Sequence, residues 1–200
     1  MRYWWKQSRR AQMAYATTSQ LKTYLNITGS GEDALLGDLL TRAQAAIDRY
    51  CGRRFEAVSG TRYYTLDDVI GDTLLVDEDL LTVTTLTNGD GTEISSADYV
   101  LVPRNVTPKI GIQLLSSASW EQDVDSWISV EGTWGYSAVA PSDIVHATLR
   151  LAGYMYRQRD ATTYDTVAFP DAGMMTVPQG IPRDVAVLLE PYRKRLVAWA

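Results

Sequence analysis

Ser142, Asp143 and His146 are the residue types of a hydrolytic triad, and they lie close together in the chain. A triad requires the three side chains to converge on one substrate bond. Their spacing is that of a single helical turn, which would direct them along one surface instead. The sequence also has no Gly-x-Ser-x-Gly elbow that would expose a nucleophilic serine. We therefore expect these residues to be non-catalytic.

Acidic side chains clustered between residues 67 and 79 could supply oxygen ligands to calcium. They are Asp67, Asp68, Asp72, Asp77, Glu78 and Asp79. The Asn88–Glu93 turn, however, lacks a twelve-residue loop with ligands at alternating positions. The single cysteine and single histidine allow neither an intrachain disulfide nor a Cys/His zinc site. We expect solvated acidic turns, with no metal and no cofactor.

Cys51 lies beside three arginines, Arg49, Arg53 and Arg54, whose charge would favour a reactive thiolate. No histidine lies nearby in sequence to serve as its base, so we expect an inert, half-buried cysteine. Phosphate-binding loops of the Gly-x-x-x-x-Gly-Lys type and dinucleotide fingerprints are also absent. The sequence thus contains no pattern that indicates enzymatic chemistry, and we expect no enzyme.

The chain has 200 residues, which is enough for one medium domain or for one domain with an insertion. Its hydrophobic fraction of 46% is ordinary for a globular protein. No stretch approaches the roughly 20 apolar residues that span a bilayer, and Met1–Arg10 lacks the apolar core of a signal peptide. We expect synthesis in a cytoplasm and no membrane association.

Positive charge is concentrated at the N-terminus. The net charge is −5, but residues 1–31 carry +5, because no acidic residue precedes Glu32. Residues 1–17 form a basic aromatic arm, in which the candidate interaction residues are Trp4, Trp5, Lys6, Arg9 and Arg10. Such an arm could bind nucleic acid, which is our alternative hypothesis. The acidic body, with a sequence pI of about 4.9, argues against it, because backbone binding needs a positive surface.

Hydrophobic periodicity predicts helices at both ends of the chain. In residues 18–52, Thr18 is the expected N-cap of a short helix. A longer helix follows, with apolar residues at three- and four-residue steps and a cap at Gly52: Leu36, Leu39, Leu40, Ala43, Ile47 and Tyr50. Pro141 begins another helix, whose expected apolar side includes Ile144, Val145, Leu149, Ala152 and Tyr156. Residues 161–180 show no period, and Pro182 begins a last helix that Pro191 interrupts.

A two-residue period between these regions predicts about six short strands. Ile110, Ile112 and Leu114 alternate with polar residues or glycine, and Asn88–Gly91 is a hairpin signal between Leu80–Leu86 and Ile94–Val102. We therefore predict an α+β fold, a small helical bundle with an inserted β-rich sandwich or barrel. The expected boundaries are 1–17 for the arm, 18–57 and 138–200 for the helices, and 58–137 for the insertion.

Several segments, taken in order, resemble the head–tail connector (adaptor) proteins of tailed bacteriophages. The resemblance starts with the Thr18–Leu25 helix and the acidic helix start at Glu32, and continues with a helix ending Ala46–Phe55. It extends through Tyr99–Leu101, Ile128–Tyr136, Pro141–Ile144, Ile181–Val185 and Leu188–Arg193. Together these segments cover most of residues 18–196.

The resemblance implies a structural virion protein at the neck of a phage or a phage-derived gene-transfer particle. It implies a ring, typically of twelve copies, that joins the portal protein to a tail-side neck or tail-terminator protein. DNA would pass through the ring without sequence-specific binding. Connectors of this kind reach the portal with terminal segments, and aromatic and cationic residues are enriched in interface hot spots. The expected portal contact is therefore Tyr192, Arg193, Lys194, Arg195 and Trp199, with the arm as the competing candidate.

Overall fold

A computed structural model describes residues 15–123, 126–159, 166–169, 173–176 and 180–194, with backbone only for 166–169 and 173–176. The described chain forms two compact units, a helical unit of residues 15–50 and 142–191 and a β unit of residues 51–141 and 192–194. The predicted α+β class is confirmed. The boundaries between the two units lie after Tyr50 and after Pro141. We expected the corresponding boundaries after residues 57 and 137. Residues 192–194 group with the β unit because their contacts are there.

Four α-helices lie in the described part of the helical unit. They are α1 (Thr18–Leu25), α2 (Asp33–Cys51), α3 (Ser142–Gln158) and α4 (Arg183–Leu189). The N-cap of α1 is Thr17, one residue before the predicted Thr18, and it forms a reciprocal capping box with Gln20. Gly52, at a φ of +66°, follows the last residue of α2, as predicted.

The core of the helical unit comes from one stripe on each long helix. On α2 the predicted stripe is buried at Leu36, Leu39, Leu40, Ala43 and Ile47. On α3 the buried face is Ile144, Ala147, Thr148, Leu151, Ala152 and Gly153. We had placed Val145 and Leu149 on that face, but both are only half-buried. Gly153 lets α1 approach α3, since an added Cβ would lie 3.1 Å from the Tyr24 ring.

The β unit contains one antiparallel sheet of six strands. They are β1 (Val58–Tyr64), β2 (Val69–Ile70), β3 (Thr73–Thr87), β4 (Tyr99–Val102), β5 (Lys109–Leu114) and β6 (Ile128–Trp134). The order is β1-β6-β3-β5-β4, with β2 paired to the start of β3. The 15-residue β3 pairs with β5 in its first part and with β6 in its second. The predicted β-rich insertion is therefore confirmed as one sheet, in which the long strand β3 pairs with β5 and with β6.

One face of this sheet carries the core of the β unit. Its fully buried side chains include Leu74, Leu80, Ile112, Ile128, Val130 and Trp134. β6 alternates between buried and half-buried or exposed residues along its length, as the two-residue period predicted. Gly132 of β6 crosses β3 closely, and an added Cβ would lie 2.2 Å from the carbonyl oxygen of Thr82.

The predicted hairpin turn at Asn88–Gly91 is formed, but the strand expected over Ile94–Val102 forms only in its last 4 residues. The Gly91 amide donates to the Asn88 carbonyl, and the Ile94 amide donates to Leu86. Pairing with β3 then stops. The next strand is only Tyr99–Val102, and it pairs with β5. A local turn signal does not determine how far pairing continues.

The segment 161–180, predicted to lack regular structure, contains two short strands. β7 (Thr166–Phe169) and β8 (Gly173–Thr176) pair with each other in antiparallel register, from Thr166 opposite Thr176 to Phe169 opposite Gly173. They form a separate two-stranded sheet. Strands of four residues are too short for a two-residue period to stand out in the sequence.

Candidate interaction surfaces

Three aromatic rings pack together in the β unit where the C-terminal segment, from Tyr192 onward, begins. Tyr192 packs edge-on against Phe55 and Tyr136, with ring centroids 5.8 Å and 5.7 Å away. Phe55 and Tyr136 are themselves 5.6 Å apart, and Phe55 is fully buried. Such edge-to-face pairs contribute about 0.5–1.5 kcal/mol each beyond the area they bury. The cluster therefore attaches Tyr192 firmly.

Lys194 extends this attachment through its backbone and its side chain. Its amide donates to the Cys51 carbonyl at 2.7 Å, and its Nζ donates to the Asp77 carbonyl at 2.5 Å. Because both bonds are made within the β unit, residues 192–194 are part of its structure and do not form a detached tail.

A buried ion pair lies in the same unit. Asp79 is only 4% exposed, and its Oδ2 lies 3.6 Å from Nε of Arg53, without a hydrogen bond between them. The Arg53 guanidinium also lies over the Tyr136 ring, 5.2 Å from its centroid. Burial raises the pKa of the Asp79 carboxyl, and the nearby Arg53 and Lys194 charges offset this effect only in part.

Replacing Asp79 with asparagine should change how stability depends on pH. A raised folded-state pKa gives a stabilising contribution that is complete below the ordinary aspartate pKa and is lost as the pH rises through the folded value. Asp79→Asn lacks this titration, so its stability relative to the native protein should increase from pH 4 to pH 8 in urea unfolding. Glu131→Gln, at an exposed position of β6, is the control for losing one carboxylate. A relative stability that stays constant or falls would contradict this prediction.

The predicted portal contact is thus only partly accessible. Tyr192 and Lys194 are half-buried in the contacts given above, whereas Arg193 is exposed. Arg195 and Trp199 lie outside the described residues, as do Trp4, Trp5, Lys6, Arg9 and Arg10 of the arm. Sequence reasoning missed the residues that contact residues 192–194: Cys51, Phe55, Asp77 and Tyr136. Their separation along the chain left no local signal.

The helical unit has its own polar cluster where α2 starts and α3 ends. The hydroxyl of Tyr156 and the guanidinium of Arg159 both donate to the Glu32 carboxylate, each at 2.6 Å. The Tyr156 and Arg159 hydrogen bonds lower the pKa of Glu32. Asp184 of α4 pairs with Arg150 of α3 in the same unit. These contacts fix α3 immediately before the segment that contains β7 and β8.

Residues considered for catalysis or metal binding are not arranged for it. Ser142, Asp143 and His146 lie exposed along α3. Asp77 accepts the Tyr64 hydroxyl and Glu78 pairs with Arg62. Among the described residues, no group of three or more His, Cys, Asp or Glu is placed to hold a metal ion. Cys51 is fully buried, at 1% exposure, not half-buried as expected.

Within the described part of the chain, no helix has the length and apolar character to cross a membrane.

Three solved structures share this fold. The first is the neck of an empty gene transfer agent (GTA) particle, a structure computed with C6 symmetry. One of its chains superposes on this chain with a TM-score of 0.65 at 23% sequence identity, over 92% of this chain and 91% of that one. A chain from the neck of a native GTA particle, computed with C12 symmetry, gives 0.62 at 21% over the same shares. A chain from the virion of a native gene transfer agent particle gives 0.63 at 23%, again over 92% and 91%.

No curated protein matches the chain. The sequence model of the family described as head completion protein, however, matches residues 14–195, which is nearly the whole chain. That span contains both units and stops short of most of the basic aromatic arm. The protein therefore belongs to the head completion protein family.

Proposed function

We propose that this protein is a structural subunit of the head-to-tail connector at the neck of a tailed phage or phage-like particle. The observation that carries this function is the family match over residues 14–195. The fold shared with neck proteins of a gene transfer agent is consistent with it. The earlier resemblance to connector proteins, based on separate segments, pointed to the same family.

The subunit acts by assembling, without catalysis. We infer a ring of twelve copies, between the portal protein and a tail-side neck or tail-terminator protein. The symmetry of the particle neck that contains a similar chain, C12 or C6, supports this arrangement. Ring subunits make heterologous contacts, in which one surface of a copy meets a different surface of the next. DNA would pass through such a ring without sequence-specific contacts.

Imaging tests the proposal directly. The purified protein, alone or added to portal-bearing heads, should appear as closed rings in negative-stain micrographs, and particles made without it should have heads separated from tails. Normal tailed particles in the absence of the protein would refute the proposed function.

A nucleic-acid-binding module is the second candidate, motivated by the basic arm. Residues 51–141 carry fourteen acidic and five basic side chains, a net charge of −9. This charge repels a phosphate backbone and leaves only the arm to bind it. We therefore expect no shift of duplex DNA at physiological salt in an electrophoretic assay. A tight, salt-sensitive shift would favour the alternative.

The C-terminal segment from Tyr192 onward is our candidate for the portal contact, and the contacts of Tyr192 and Lys194 decide where to truncate it. Truncation after Lys194 keeps Tyr192 and Lys194 in the β unit but removes Arg195 and Trp199. Loss of one hot-spot residue reduces the binding free energy by about 2 kcal/mol. The affinity of the protein for portal-bearing heads should therefore fall by about thirtyfold. Deleting residues 2–10 should have a smaller effect. Unchanged joining by the truncated protein would place the portal contact elsewhere.

A further inference from the structure

A shallow groove on the β unit is not used by any contact considered above. Its volume is about 350 Å³, and it is lined by Leu66, Val69, Asp72, Leu114, Ser119 and Trp120. We call it the Trp120 groove. The Trp120 indole is held at one wall, since its Nε1 donates to the Asp72 carbonyl at 3.0 Å. The volume is at the small end of ligand clefts, about 300–1,000 Å³, a size suited to a few side chains of a peptide.

Asp72 lines this groove together with apolar residues, and the two chain segments that form the groove are acidic. Leu66 is 43% exposed and Ile70 is 58% exposed, although both are large apolar residues. The two segments that wall the groove, 65–72 and 114–123, contain no lysine or arginine. They carry five exposed acidic residues: Asp67, Asp68, Asp72, Glu121 and Asp123. A partner that is both aromatic and basic would match this surface.

The N-terminal arm has that chemistry. Residues 1–14 contain Tyr3, Trp4 and Trp5, followed by Lys6, Arg9 and Arg10, and they contain no acidic residue. The first described residue, Tyr15, is buried and donates its hydroxyl to Asp48 of α2. From this fixed point, fourteen residues reach up to about 45 Å, more than the roughly 30 Å diameter of a small domain. The arm is therefore long enough to reach another copy of the protein.

We propose that residues 1–14 of one copy bind the Trp120 groove of an adjacent copy in the ring, with the aromatic residues in the groove and the basic residues against its acidic rim. This inference rests on the proposed ring. Complementary charge and apolar contact together would make the binding of the arm to the groove both tight and specific. Each subunit would then contribute one arm and receive one, a heterologous contact that closes around a ring.

Crosslinking between two single-cysteine-addition variants tests the proposal in the full-length protein. The native Cys51 is buried and gives little background. The variant with Ser8→Cys in the arm is mixed with the variant that has Ser119→Cys in the groove. The mixture is allowed to form rings and is then treated with a short bismaleimide. We expect a covalent dimer at roughly ten times the yield obtained with Ser96→Cys, an exposed serine of the same unit.

Charge variants check the recognition. Asp67→Lys with Asp72→Lys should lower the Ser8–Ser119 crosslink roughly tenfold, whereas Glu93→Lys with Glu131→Lys, both exposed on the same unit, should leave it unchanged. Equal yields at Ser96 and Ser119, or no crosslink at all, would overturn the proposal. A further variant carries both Ser8→Cys and Ser119→Cys. A crosslink that forms only within one chain of that variant would also overturn the proposal. Rings are scored separately by negative stain, so intact rings without the crosslink refute this contact alone, and absence of rings refutes the proposed function.

Discussion

Replacing Trp134 with alanine is expected to lower the free energy of unfolding of the β unit by about 3–5 kcal/mol, the usual cost of removing a buried aromatic side chain. Trp134 is 1% exposed, and its Nε1 donates to the Gly60 carbonyl at 2.8 Å. The Arg62 guanidinium lies over its ring, 5.3 Å from the centroid, and the Tyr64 ring is 6.5 Å away. The substitution therefore leaves a cavity and removes the hydrogen bond to the Gly60 carbonyl.

Trp127→Ala is the matched control, because it removes the same side chain immediately before β6. Trp127 is 57% exposed, so its loss should change the stability by no more than about 0.5 kcal/mol. Urea unfolding followed by circular dichroism measures both variants. Equal effects of the two substitutions would show that Trp134 does not hold the core of the β unit.

Deleting Thr163–Val177 is expected to abolish ring formation and leave a folded subunit. Within the described part of the chain, β7 and β8 pair with each other and with no strand of the six-stranded sheet. An isolated two-stranded hairpin is at best marginally stable in water, so a contact with a neighbouring copy is the simplest source of its stability. We propose that this hairpin and the flanks of the two long helices form the contact between copies.

A same-length glycine–serine replacement of 163–177 is the control for connectivity, since it keeps the link between α3 and α4 without strand-forming residues. It should fail to form rings as completely as the deletion does. Size-exclusion chromatography with light scattering reports the assembly state, and circular dichroism reports the helices. Rings of normal size from either variant would contradict the proposed role of the hairpin.

The sequence alone determined the elements whose burial follows a local period. The α2 stripe was predicted correctly from Leu36 to Ile47, because a helix that buries one face must repeat apolar residues every three or four positions. Tyr50, the last residue of the predicted stripe, is only half-buried. The alternation in β6 and the turn at Asn88–Gly91 were predicted for the same reason. The α+β class and the connector family also followed from patterns that lie in order along the chain.

Only the tertiary structure decided which distant residues meet. The sequence did not show that β3 pairs with β2 and β5 at one end and β6 at the other, nor that Tyr99–Val102 pairs with β5. It also placed Tyr192 and Lys194 in a free portal-binding segment, whereas Phe55, Tyr136 and Cys51 hold them in the β unit. A periodic pattern records that a residue is buried, but the identity of its partner depends on contacts between segments far apart in the chain.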